Sequence, residues 1–344
     1  MIFYTIKRLA LLPILLFLLS ALVFSLVMFL GPYERLAVYI PEASTTNINV
    51  PLDELITRYG LDRPFYVQYF EWLKGIFSGN LGWSPTARMP VGRAIRTYFP
   101  ATVELMVLGG VIIFAGGIFL GTYSAPRHNQ LPDQIIRVLT IFGVSIPSFI
   151  FGLLLLVFFY TLNGLFPPGR LSSWATDVVT SSSFVRFTGM NLVDSIINGR
   201  FDVFLNSIRH LVLPALAYSI PMLSTILRVM RSSLLEVLNQ EYITTARAKG
   251  LKENIVIKKH GRRNALLPVI TLGGVIVARM VGGAVIVETV FNYHGMGLFI
   301  ATAAKGLDFP AILGSTLLVG IIIIVVNLII DLLYTVLDPT VELE

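Results

Sequence analysis

Glu241-Tyr-Ile-Thr-Thr-Ala-Arg-Ala-Lys-Gly250-Leu251 is a short run of helix formers stopped by a glycine, and it sits in the most charged part of the chain. Between Arg228 and Arg263 stand nine Lys/Arg (Arg228, Arg231, Arg247, Lys249, Lys252, Lys258, Lys259, Arg262, Arg263) against three acids (Glu236, Glu241, Glu253). That surplus equals the formal net charge of +6 carried by all 344 residues. On both sides the chain turns apolar for about a membrane thickness, ~30 Å. A cationic helix hung between two spans has three uses. It fixes topology by keeping positive charge inside, it holds anionic lipid, or it docks a cytoplasmic partner. Composition leaves the three open.

A mean hydropathy of +0.78 with 13% charged residues describes an integral membrane protein rather than a soluble domain. Cysteine is absent, which excludes a disulfide or a thiolate metal site. The pI near 9.5 does not point to nucleic acid, because the excess charge is confined to one loop and no basic stripe is interleaved with aromatics.

Working outward, six apolar segments are expected. Leu9–Leu30 is uncharged and about 33 Å long as a helix, and Lys7-Arg8 precede it, so it reads as a retained anchor over residues 1–31. Residues 32–100 form a mixed-charge external segment. In it Leu52–Tyr59 and Arg63–Phe77 read as helical, and Gly79-Asn-Leu-Gly82-Trp-Ser84 as a turn. The aromatic surface with Tyr66 and Tyr69 suits contact with another protein. Residues 101–344 form a five-helix core, with spans at Ala101–Tyr123, Ile135–Leu162, Leu211–Leu227, Leu266–Phe291 and Ala311–Leu337. Its polar, basic loop covers 228–264. The third span contains Ser145-Ile-Pro147-Ser148, where a kink or local unwinding is expected because proline frees a backbone carbonyl.

Orientation follows from Lys/Arg. The inner segments, with Arg137 at the inner end of the third span, carry 13, and the outer ones carry five (Arg170, Arg186, Arg200, Arg209, Lys305), with the long segment 32–100 left out because long loops do not vote. Both termini and the basic loop are therefore expected in the cytoplasm. No phosphate-binding glycine loop, dinucleotide fingerprint or H-E-x-x-H is present, and the four histidines are scattered. Acids within spans are few (Glu104, Glu288, Asp331), unlike the dense relays of proton-coupled carriers. A transport subunit powered from elsewhere remains, or a scaffold that moves no solute.

Tyr242-Ile-Thr-Thr-Ala-Arg-Ala-Lys-Gly250-Leu251, followed by His260-Gly-Arg-Arg-Asn-Ala-Leu-Leu-Pro268, resembles the cytoplasmic "EAA" loop of binding-protein-dependent ABC importer permeases. More narrowly it resembles the B-type permeases of the dipeptide/oligopeptide class. The eponymous trio falls on Thr244, Thr245 and Ala246, so only the last residue is kept. Arg96–Leu105, Ser145–Phe149, Arg209–Ala215, Gly282–Phe291 and Asp331–Pro339 extend the resemblance along nearly the whole chain. Gly79–Ser84 is similar to that class's external turn, with Asn80 in place of the acid.

The resemblance implies an all-α polytopic membrane protein of the type I ABC importer fold, with six transmembrane helices and a small external domain after the first. The chain would import di- or oligopeptides and hydrolyse nothing itself. It would bind no cofactor, and ATP and Mg would be used by partner subunits. Those partners would be a second homologous permease, two cytoplasmic ATPase subunits and an external solute-binding protein, assembled in the lipid bilayer of the cell membrane. Oligosaccharides or nickel are the alternative cargoes of this class. Coupling to the ATPase would fall on Glu241, Tyr242, Thr245, Ala246, Arg247, Ala248, Lys249, Gly250 and Leu251. Alanines at 246 and 248 would let the partner approach, and Arg247 and Lys249 would meet its acids. Gly250 would stop the helix in left-handed geometry. The candidates for the translocation path are Ser145, Pro147, Ser148, Arg279 and Glu288. Arg279 lies 11 residues after Pro268 and 12 before Phe291, at the level of the bilayer midplane. There it needs water or an ionic partner.

Overall fold

The computed structural model describes residues 2–36 and 51–337. The N-terminal apolar run lies in α1 (Ile2–Met28), and the stretch 32–100 supplies α2 (Pro32–Leu36), α3 (Leu52–Arg58) and α4 (Phe65–Phe77). Helices α3 and α4 fall where the sequence places them. Their assembly could not be read from periodicity. Tyr69 is buried at 3% exposure, its hydroxyl lies 2.7 Å from Ser20 Oγ, and its ring packs edge-on against Phe24 of α1. Arg35 turns inward and donates to Gln68 Oε1 (2.8 Å) and to the Leu61 carbonyl (3.0 Å), which ties α2 to α4. The aromatic stripe expected as a landing surface therefore divides: Tyr69 is core, and Tyr66 is exposed.

One small antiparallel ladder breaks the otherwise helical chain, with β1 (Trp83–Ser84) paired to β2 (Met89–Pro90). The glycine-punctuated turn before it takes positive φ at Gly79 (81°) and Gly82 (88°), and Asn80 Oδ1 accepts from the Gly82 amide at 3.0 Å. Glycine is required for those angles.

The second span starts at Val91, well before Ala101. It runs through α5 (Val91–Val111), a wider turn over Ile112–Gly116 and α6 (Gly117–Ser124). A Cβ on Gly117 would sit 2.6 Å from Ile226 Cγ2, and one on Gly121 would sit 2.7 Å from Met230 Cβ. Small residues let these helices approach as membrane helices do. The expected third span is two helices, α7 (Leu131–Ser145) and α8 (Ser148–Leu155), bent by 107°. A kink or local unwinding was expected, and the helix is found unwound and sharply bent at this point. Residues before proline are pushed out of the helical region, and Ile146 is extended at φ −89°, ψ 122°.

After α9 (Ser173–Thr180) and α10 (Asn191–Ile197) comes α11 (Phe201–Leu238), 38 residues long. Leu211–Leu227 is only its middle, and the first part of the expected basic loop, from Arg228, is a continuation of this helix. The loop then holds α12 (Glu241–Ala248) and α13 (Glu253–Ile255), and a wide turn over Val256–Gly261 leads into α14 (Arg262–Val290). The chain ends in α15 (Met296–Lys305) and α16 (Phe309–Leu337).

Among the described residues five helical stretches are long and apolar enough to cross a membrane, or six when α7 and α8 count as one bent span. In α11, 61% of the most apolar window is buried, against 11% in α1. Helix α11 is therefore the axis on which α5, α6, α7, α8 and α14 pack, and α1 is a peripheral helix on α16. Phe119, Phe142, Leu18 and Leu154 stay largely exposed on the outer faces. In water such surface would be an aggregation hazard, whereas in a bilayer it is solvated by lipid.

Candidate functional site

The run Glu241–Leu251 folds as a helix clipped to the base of the core. Ile243 (0% exposed) and Ala246 (8%) are three residues apart, so they share one face of α12, and they enter the core cluster that holds Leu234, Leu238 and Val256. Burying one isoleucine contributes about 1.5–3 kcal/mol to that seat. Two polar ties fix the rotation. Asn264 Nδ2 donates to the Tyr242 hydroxyl at 2.7 Å, and Arg247 grips Glu253 through Nε (3.1 Å) and Nη2 (2.7 Å). The Glu253 carboxylate holds the Arg247 guanidinium above its usual range. Gly250 ends the helix at φ +73°, and nothing lies within 4 Å of where its Cβ would be. Backbone conformation, not space, calls for glycine there.

Two of the coupling candidates change role. Ala246 was expected to let a partner approach, but it faces inward, because its three-residue offset from Ile243 puts both on the seat. Arg247 was expected to meet a partner's acids, but Glu253 of the same chain already binds it in bidentate fashion. Glu241, Tyr242, Thr245, Ala248, Lys249, Gly250 and Leu251 are exposed, as is Thr244. Among the described residues Lys249 has no ion pair.

The path candidates separate. Ser145 and Pro147 are exposed at the α7–α8 break, and Ser148 is half-buried. Gly143, one turn earlier, lies against Ser224 of α11 with no room for a Cβ. Arg279 is exposed, on a stripe of α14 that also carries Asn264, Pro268, Thr271, Val275, Ile286 and Thr289. No carboxylate among the described residues reaches it. Glu288 does not join it. Nine residues at 100° place it on the opposite face of the helix, and it is fully buried. Thr102 Oγ1 donates to Glu288 Oε1 at 2.6 Å, the Leu298 amide donates to Oε2 at 2.9 Å, and the Met296 amide donates to Thr102 Oγ1 at 2.7 Å. In this structure Glu288 ties α5, α14 and α15 together and is not presented to a path. The Gly282–Gly283 pair lies outside the residues whose surroundings are described, whereas Gly273 packs on Phe114 (3.0 Å from its Cβ position).

Three polar clasps went unread in the sequence. Glu104 (5% exposed) accepts from Arg170 Nη2 (2.8 Å) and from the Leu192 amide (2.7 Å), and Arg170 also reaches the Gly189 carbonyl (2.7 Å). Asp133 holds Arg231 through both oxygens (2.6 and 2.7 Å), so Arg231 is a structural member of the basic run. Asp308 accepts from the Ser84 hydroxyl and from the Thr86 amide (3.1 Å), locking the Gly79–Ser84 turn to the start of α16. The Arg209-His210 pair works in the same way. Arg209 Nη2 donates to the Gly164 carbonyl (2.9 Å), and the His210 ring lies 3.1 Å from both Ser172 Oγ and the Pro168 carbonyl. The one available signal was that Glu104, Asp133 and Arg209 are charges at the ends of apolar runs.

The family model described as "Binding-protein-dependent transport system inner membrane component" matches residues 117–343, and its N-terminal counterpart matches residues 1–106. A putative peptide permease protein of Brucella ovis is 39% identical over 326 residues, 94% of each chain. A probable D,D-dipeptide transport system permease protein of Escherichia coli is 38% identical over 289 residues, 84% of this chain and 83% of its own. An oligopeptide transport system permease protein of Bacillus subtilis is 36% identical over 291 residues, 84% of each. With both matches spanning almost all of its length, and with helix α12 of the basic loop seated between α11 and α14, this chain belongs to the family of binding-protein-dependent transport system inner membrane components, the permease subunits of ABC importers.

Proposed function

We propose that this chain is one of two permeases in an ATP-driven importer of di- and oligopeptides, and that α12 is its contact with a cytoplasmic ATPase subunit. The exposed outer face of α12, on a helix whose inner face is locked to the core, carries the proposal. A knob free to rotate would transmit nothing. One clipped by Ile243, Tyr242 and Arg247 passes a push from the ATPase into α11 and α14. Closure of two ATPases on ATP and Mg would move two such knobs together and switch access across the spans. Hydrolysis belongs to those subunits, and this chain needs no cofactor of its own. The positive-inside excess of the basic run supports a cytoplasmic α12 and cytoplasmic termini on a chain embedded in the inner membrane. An external binding protein would deliver the cargo. Peptides are favoured over oligosaccharides or nickel because the relatives' names concern peptides.

Arg279 would line the water-filled path between the two permeases, where it attracts a peptide carboxylate. An unpaired arginine at bilayer depth costs roughly 2.5 kcal/mol or more, so it needs water or an acid. The competing role is a salt bridge to the second permease.

The test is Ala248→Arg, which adds bulk to the exposed face without touching the seat. Insertion and thermal stability are expected to be normal, while the ATPase subunit is lost from pull-downs and peptide uptake stops. Normal ATPase recovery together with normal uptake would remove α12 from the interface.

A further inference from the structure

Two cations of the basic run, Lys258 and Arg262, stand with Arg127 in a group that neither the coupling helix nor the clasps use. Beside α6 and the turn into α14 lies a cleft of about 710 Å³. Arg127, Lys258 and Arg262 line it together with the apolar side chains of Ala115, Ile118 and Phe119. No acid lines it. None of the three cations forms an ion pair among the described residues, whereas Asp133 and Glu253 are already taken by Arg231 and Arg247. The Arg127 guanidinium is held in place. It lies 3.9 Å from the centroid of the Tyr123 ring, and its Nη1 donates to the Tyr123 carbonyl at 2.9 Å. The buried hydroxyl of Thr122, also in the lining, has no hydrogen-bond partner.

We propose that this cleft binds an anionic phospholipid from the leaflet on the α12 side, with the phosphate between Arg127, Lys258 and Arg262 and an acyl chain along Ala115, Ile118 and Phe119. The shape selects this occupant. From Arg127 to Ala115 the wall runs about 18 Å at 1.5 Å per residue, from the interface into hydrocarbon depth. A soluble phosphate has no use for the apolar half, and water-soluble protein does not reach it. The volume falls within the range of small-ligand sites. Phe119 is 68% exposed at the rim, where an acyl chain would cover it. A net-cationic pocket between spans on the positive-inside face meets the leaflet that carries anionic lipid. That last step rests on the orientation proposed above, but the binding assay does not depend on it.

The experiment uses the complete importer complex, purified in detergent and titrated with phosphatidylglycerol or phosphatidylcholine, with bound lipid counted by native mass spectrometry. Phosphatidylglycerol is expected to bind preferentially. Each cation removed should weaken it about fivefold, so the double variant Arg127→Gln/Lys258→Gln should lose about 25-fold. Ala115→Trp, which plugs the apolar half and leaves the cations, should weaken it too. Lys252→Gln, outside the cleft, should not. Four results would overturn the proposal: unchanged binding in the double variant, equal binding of both lipids, displacement of the lipid by millimolar inorganic phosphate, or loss of a protein subunit from the double-variant complex with lipid retained.

Discussion

Gly250 offers the cleanest separation of backbone conformation from packing. At φ +73° with no atom within 4 Å of a Cβ, a substitution there meets no clash, so its whole cost is the left-handed backbone. For an ordinary L-residue that is about 1–2 kcal/mol, less for asparagine and more for a β-branched side chain. The ties opposing a rearrangement are of similar size. The exposed Arg247–Glu253 pair contributes about 0.2–1 kcal/mol and the Tyr242–Asn264 bond about 0.5–1.5 kcal/mol. Burial of Ile243 is larger, so the helix keeps its seat while its C-terminal end shifts. Since ~1.4 kcal/mol is tenfold in a population, Gly250→Ala should lower peptide uptake about tenfold. Gly250→Val should lower it further, and Gly250→Asn should stay within a few-fold of wild type. The assay is uptake by proteoliposomes holding the complete importer, alongside ATPase stimulation by peptide-loaded binding protein. Uptake should fall while ATPase recovery in pull-downs is kept. If asparagine proves as damaging as valine, or if all three match wild type, the left-handed turn does not set the position of α12.

Replacing one member of the Glu104–Arg170 clasp by Glu104→Gln or Arg170→Met leaves a buried charge unpaired, and should cost about 3–5 kcal/mol in thermal or denaturant unfolding; the double variant should cost less than the sum, and strict additivity would show the pair to be uncoupled. Tyr69→Ser should destabilise by about 3 kcal/mol or more through loss of the ring against Phe24, while Tyr66→Ser should leave stability unchanged and lower only stimulation by the binding protein; equal unfolding midpoints for the two would refute the division of that stripe. Arg279→Met distinguishes the path from the bridge. Loss of acidic-peptide uptake with the permease pair intact supports the path, dissociation of the pair supports the bridge, and wild-type uptake excludes the path.

Hydropathy located the apolar stretches, though neither their full lengths nor the break at Pro147, because a bilayer demands about 20 apolar residues in a row, a property of the chain in one dimension. The helix-stopping role of Gly250 was equally legible, since only the local backbone decides it. The resemblance carried by Tyr242–Pro268 pointed to the family that the comparisons show. The opposite faces of Arg279 and Glu288 also followed from helical geometry alone. Which of those faces is buried did not.

Only tertiary packing decided that Tyr69 is core, that Ala246 faces inward, that Glu288 is a tether, and that Leu211–Leu227 is the middle of a longer helix. The clasps Glu104–Arg170, Asp133–Arg231 and Ser84–Asp308 join residues 66, 98 and 224 positions apart. No local pattern selects such partners. A charge at the end of an apolar run states that it must be compensated, and the three-dimensional path of the backbone determines by what.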